Sequence, residues 1–169
     1  MIALLLCLAM TTPQSSARPK GVDFSGDWIL VLPATPADDV ASTMTVKQPV
    51  VDKNVYGAPM PPAYIHLIVE RRGRSGASAI DYLIGALGST TAFGPGRGPR
   101  TETKHSVSWE GESLVIANSS WSGSPDDALK MDMQRTETWR LDSGGKLLIT
   151  IVDLKGSLES RTELTYRRR

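Results

Sequence analysis

The sequence predicts an all-β domain, an antiparallel up-and-down β-barrel of about eight to ten strands. Three observations carry that expectation. Short apolar or alternating runs recur along the chain, separated by clusters of Gly, Pro, Asp and Ser, which is how strands joined by tight turns read. The sustained three- and four-residue apolar spacing of a helical bundle or coiled coil is missing. Finally, Phe24-Ser25-Gly26-Asp27-Trp28-Ile29-Leu30-Val31-Leu32 opens the fold as a turn and an apolar strand, and the arginine-rich stretch Arg161 to Arg169 ends it. A closed barrel needs a seam between such first and last strands.

A chain of 169 residues is expected to form one domain. Its 19 Lys and Arg nearly cancel 18 Asp and Glu, so charge gives no reason to expect nucleic acid or another acidic polymer as a partner. Ile2 to Met10 is an apolar core of signal-peptide length, too short to span a bilayer as a helix. Ser15-Ser16-Ala17 supplies small residues for cleavage after Ala17. The expected divisions are a signal peptide over 1–17, a short leader over 18–22 and the barrel over 23–169. That address is secreted or periplasmic, with no membrane span. Cys7, the one cysteine, follows a bulky Leu6 and too little apolar sequence for a lipoprotein site, so cleavage is preferred to lipidation. The mature chain then has no disulfide and depends on its apolar core.

Taken in order, Asp27 to Leu32 is apolar on both faces, as in a strand covered on both sides. Val40 to Gln48 alternates as a half-buried strand after a proline-rich break carrying Asp38-Asp39. Val50 to Pro62, with Gly57 and three prolines, reads as an irregular connection. Tyr64 to Arg71 places Ile65, Leu67 and Val69 inward and His66 and Glu70 outward. Arg72 to Gly76 is a turn, and Ala79 to Ile84 returns. Gly85 to Arg100 reads as a loop around Gly94-Pro95-Gly96-Arg97-Gly98-Pro99. Its prolines lack amides, and neither a Lys–hydroxyl pair nor a helix follows, so it is no phosphate cradle. Two hairpins come next, turning at Glu110-Gly111-Glu112 and at Asp142-Ser143-Gly144-Gly145. A further turn at Lys155-Gly156 leads to the last strand.

Catalytic chemistry finds little purchase. There is no Gly-x-Ser-x-Gly elbow, and His66 and His105 are the only imidazoles. His66 and Glu70 lie about 13 Å apart along one strand face, too far for one metal ion. Asp38-Asp39 and Asp126-Asp127 fit turn or capping roles better than acid–base work. The expectation is a protein that is not an enzyme, with no catalytic residues, no metal and no cofactor.

Phe24-Ser25-Gly26-Asp27-Trp28 resembles the opening Gly-x-Trp of the calycin superfamily, the lipocalins and fatty-acid-binding proteins. The stretches Val107 to Ile116 and Glu137 to Leu147 resemble secreted bacterial lipocalin-like proteins. The resemblance runs roughly from Asp23 to the C-terminus, with little match over 57–100. It implies that Gly26 and Trp28 form the structural signature and that Arg167 or Arg168 covers the tryptophan. It also implies an interior able to hold a small apolar or amphipathic ligand. The other lipocalin loop motifs, and a basic pair that would grip a carboxylate, are not evident. Tyr64, His66, Tyr82 and Trp121 are the candidate ligand contacts. Small residues at 41–43 and 77–79 point to internal space. The alternative is a barrel filled by its own side chains that serves as a protein-interaction or envelope-assembly module.

Overall fold

The computed structural model describes residues 21–31, 40–93, 100–124 and 129–169. The expected signal segment, Asp38-Asp39, the run Gly94 to Pro99 and Asp126-Asp127 lie outside the described residues. The described residues form twelve strands: β1 (Gly26–Leu30), β2 (Ala41–Lys47), β3 (Val50–Lys53), β4 (Pro59–Tyr64), β5 (His66–Gly73) and β6 (Gly76–Leu83) come first. β7 (Leu87–Phe93), β8 (Arg100–Glu110), β9 (Ser113–Gly123), β10 (Lys130–Leu141), β11 (Leu147–Lys155) and β12 (Leu158–Arg168) follow. Among the described residues there is no helix, and hence none long and apolar enough to cross a membrane.

Ten strands form one antiparallel sheet in the order β6-β5-β2-β1-β12-β11-β10-β9-β8-β7, rolled into a nearly closed barrel. The end strands join by the predicted seam, with Trp28 opposite Arg168 and Leu30 opposite Tyr166. The opening lies elsewhere. Strands β6 and β7, consecutive in sequence, do not pair with each other; the connection between them instead touches β8, where Ile84 bridges Val107 and the Gly85 amide donates to the Val107 carbonyl at 2.7 Å.

Two expected loops are strands instead. Val50 to Pro62 contains the hairpin β3–β4, a separate two-stranded sheet. Its turn is built on Asn54, whose side-chain oxygen accepts from the amides of Tyr56 and Ala58. The prolines that argued against a strand fit because each member has only one partner, so a missing amide breaks no second ladder. Leu87–Phe93, read as loop, pairs with Phe93 to Leu87 running against Arg100 to Ser106. It too is an edge strand, with a short and weakly apolar sequence. The expected turn at Arg72 to Gly76 tightens to Arg74-Ser75, since Gly73 pairs with Gly76.

Strand alternation sorts the side chains. Trp28, Met44, Val46, Leu67, Val69, Tyr82, Val107, Leu114, Ile116, Trp139, Leu147, Ile149 and Tyr166 are buried inside. Phe24 closes the end at which the chain enters. It stacks on Trp109 at 6.0 Å between centroids and meets Trp139 edge-on at 6.1 Å. The backbone amide of Phe24 donates to the buried Gln48 side chain. This half of the barrel is therefore packed with aromatic rings.

Candidate functional site

Beyond that plug the interior turns polar. Arg71, two residues past Val69 on β5, and Glu137, two before Trp139 on β10, both point inward from opposite walls. They meet in a two-pronged ion pair, Nη1 to Oε1 at 2.9 Å and Nη2 to Oε2 at 2.6 Å. Glu137 is only 1% exposed, whereas about a quarter of the Arg71 side chain reaches solvent. The Trp139 indole N–H donates to Glu137 Oε2 at 2.9 Å, and the Arg71 guanidinium lies 5.7 Å from the Trp139 ring centroid. Every oxygen of the carboxylate thus has a donor, which is what makes a buried charge tolerable. A second pair, Arg135 to Asp153 at 2.6 and 2.7 Å, sits nearer the open end.

Two phenols complete the network. Tyr166 donates to the Ala41 carbonyl at 2.8 Å. Burial pushes its pKa up to about 12, opposed by Arg71 and reinforced by Glu137. Burial also raises Tyr82, while Arg71 and a hydrogen bond with Asn118 pull the other way. Arg71 itself is held above its ordinary value. Burial alone would lower it, but the Glu137 charge and hydrogen bonds outweigh that. A linkage follows from Tyr166. Its folded pKa exceeds the ordinary value of 10, so its stabilisation is complete below pH 10 and is lost as pH rises toward 12. The loss at the upper limit is about 3 kcal/mol. Denaturant midpoints measured from pH 9 to 12 are expected to fall steeply for the native protein and less so for Tyr166→Phe.

Space is distributed unevenly around these groups. A vestibule of about 240 Å³ at the open end is lined by Ala41, Arg71, Gly73, Ser75, Gly76, Ala77, Ser78 and Arg135. Beneath it, bounded by Arg71, Arg135, Glu137, Ile149 and Tyr166 among others, a void of about 30 Å³ remains. That is room for a water or two, each needing about 10–15 Å³, and for nothing larger. The small residues expected to make internal space do not all do so. Ala77, Ala79 and Thr43 alternate outward and floor an external groove of about 420 Å³ with Ile29, Thr45 and Arg72. A one-residue change of strand phase separates the two faces, and the weak alternation of Gly76 to Ile80 did not fix that phase.

The four candidate contacts are not brought together. Tyr82 is inside, edge-on to His105 at 5.8 Å. His105 in turn packs on Gly88, where an added Cβ would overlap the imidazole. His66 lies on the outer face, its Nδ1 3.1 Å from an Asp81 oxygen. Trp121 is also outward, beneath Lys104 Nζ at 4.9 Å from the ring centroid. Tyr64 belongs to the separate hairpin, half-buried, its pKa raised by burial and by Asp23. The residues that do converge, Arg71, Arg135, Glu137 and Asp153, were not singled out as a site from the sequence. Their signal was phase: each is inward by alternation from a buried hydrophobic neighbour, namely Val69, Trp139 and Ile149. The basic pair not evident in the sequence is therefore present, with each cation already matched by a carboxylate.

At the seam, the Arg168 guanidinium lies 5.1 Å from the Trp28 ring centroid, while Arg167 pairs with Ile29 on the other face. Trp28 donates its indole N–H to the Phe24 carbonyl at 3.0 Å. Gly26 has φ of 144°, a region where a side chain is strained, so the turn into β1 requires glycine. Among the described residues, no group of three or more His, Cys, Asp or Glu is placed to hold a metal ion. No protein-family model and no curated protein matches the chain.

Proposed function

We propose that the protein is an exported, non-enzymatic binding protein that holds one small amphipathic molecule at the mouth of a lipocalin-like barrel. The supporting observation is the vestibule. Arg71 and Arg135 both line it, while Glu137 and Asp153 do not. A ligand entering there meets guanidinium groups first, so an anionic or strongly accepting head group fits best. The aromatic plug leaves no room for a long tail below. The tail would lie along the open side, against Ile80, which faces inward from β6 and is 42% exposed. The placement of the imidazoles also favours a non-catalytic role, since His66 is tied to Asp81 outside and His105 is packed between Tyr82 and Gly88.

The second reading, a filled barrel acting as an interaction or envelope-assembly module, draws on a different observation. The interior void beside Glu137 is only about 30 Å³. Titration of fatty acids, isoprenoids and an environment-sensitive apolar dye, followed by tryptophan fluorescence, separates the two. Saturable one-to-one binding is expected, weakened about tenfold or more by Ser78→Trp, which fills the vestibule, and little changed by Ala79→Leu on the outer face. Absence of binding across the panel would favour the module. The export part of the proposal is checked by the intact mass of protein from the native envelope fraction, expected to begin at Arg18; a retained Met1 or an acylated Cys7 would contradict it.

A further inference from the structure

We propose that the free edge of β6 is a dimerisation surface that pairs antiparallel with the same strand of a second copy of this chain. The hydrogen-bond alternation identifies the edge. Ile84 donates back to the Ile65 carbonyl at 2.9 Å, and Gly85, the next residue, donates the opposite way, to Val107. Carried back along an antiparallel ladder, that alternation turns the N–H and C=O groups of Leu83, Asp81, Ala79 and Ala77 away from β5. Among the described residues β6 pairs with no other strand, and Gly76 to Asp81 are six exposed residues in succession. An edge of this kind is a template for another strand, and monomeric proteins guard such edges with Lys, Pro, bulges or covering loops. Gly76-Ala77-Ser78-Ala79-Ile80 carries no Lys or Pro, and its register with β5 runs without a shift.

The chemistry of the edge favours a second copy as the occupant. Antiparallel pairing of one edge with itself is closed by a two-fold axis, so it ends at a dimer instead of growing. With the axis at Ala79, both outward-facing pairs Ala77–Asp81 match residues that point their amides and carbonyls across the interface. Arg72 neighbours Ala77 on β5, on the outer face. It has no carboxylate partner among the described residues, and the Ala77 side chain is too small to keep it from reaching over. Asp81 has one oxygen, Oδ1, near His66 and the other available. The axis therefore brings an unpaired arginine and an available carboxylate oxygen together twice, and sets Ser78 against Ile80 on the inner face.

Light scattering during size-exclusion chromatography of the full barrel, across a dilution series, tests this. A concentration-dependent dimer is expected. Ala79→Pro removes an amide that β5 does not use, so it is expected to give a monomer with unchanged tryptophan emission and melting temperature. Should that variant fail to fold, the charge pair decides. Asp81→Arg is expected to weaken the dimer about tenfold, and adding Arg72→Asp to restore it. A monomer at every concentration, a dimer that survives Ala79→Pro, or a charge swap without rescue would each overturn the proposal.

Discussion

Replacing Glu137 with alanine is expected to destabilise the protein by about 3–5 kcal/mol, the range for removing one partner of a buried ion pair. The guanidinium left behind is the reason. Arg71 would lose both hydrogen-bonded oxygens while lodged against Trp139, and the indole N–H would lose its acceptor as well. Because about a quarter of the Arg71 side chain already meets solvent, water can partly rescue it, and the loss should fall near the lower end. Glu137→Gln, which keeps the shape and an acceptor for the indole, should cost less. The double change Arg71→Met with Glu137→Leu removes both charges, and is expected to be close to neutral or stabilising. Urea unfolding followed by tryptophan fluorescence measures all four proteins. A Glu137→Ala loss below about 1 kcal/mol, the scale of an exposed pair, would mean that the interior is wetter than its geometry implies.

The second large effect is at the seam. Trp28→Ala is expected to cost about 3–5 kcal/mol, as for other fully buried aromatic rings. Arg168→Ala should cost about 0.5–2 kcal/mol, the value of a cation over an indole face. Arg167→Ala, on the outer face, should change stability within about 0.5 kcal/mol. The double variant of Trp28 and Arg168 should lose less than the sum, since the second change has no partner left to remove. Additive losses in that cycle would show that the 5.1 Å contact carries no energy.

The parts of this fold that were legible in the sequence are those with strong alternation and explicit turn chemistry. Trp28 at the start of an apolar run, the hairpin at Asp142 to Gly145 and the two-residue phase of Leu67 and Val69 each pointed to one arrangement. The hairpin turn is held by the Asp142 side chain, which accepts from the Gly144 and Lys146 amides, and by Gly145 at φ of 74°. Weak patterns failed where edge strands replaced loops. Pro59, Pro61 and Pro62 lie in β4, and Leu87–Phe93 is short of apolar residues, because an edge asks less of its sequence than a central strand does. The site was obscured for another reason. Arg71 and Glu137 are separated by 66 positions, and charged residues in alternating strands are normally read as facing water. Only the closing of the sheet puts them opposite one another.

The pairing of β1 with β12 also has a consequence for how the chain folds. Strands β8 to β12 follow one another across short connections, a local meander whose contacts close small loops. The seam joins Trp28 to Arg168, nearly the full length of the domain, and so closes the largest loop of all. Loop-closure entropy rises with that separation, and chains dominated by such contacts fold in milliseconds to seconds. The C-terminal meander is therefore expected to be structured at the folding barrier and β1 to dock after it. Substitutions in Leu114 or Ile149 would then slow folding, whereas Trp28→Ala would chiefly speed unfolding.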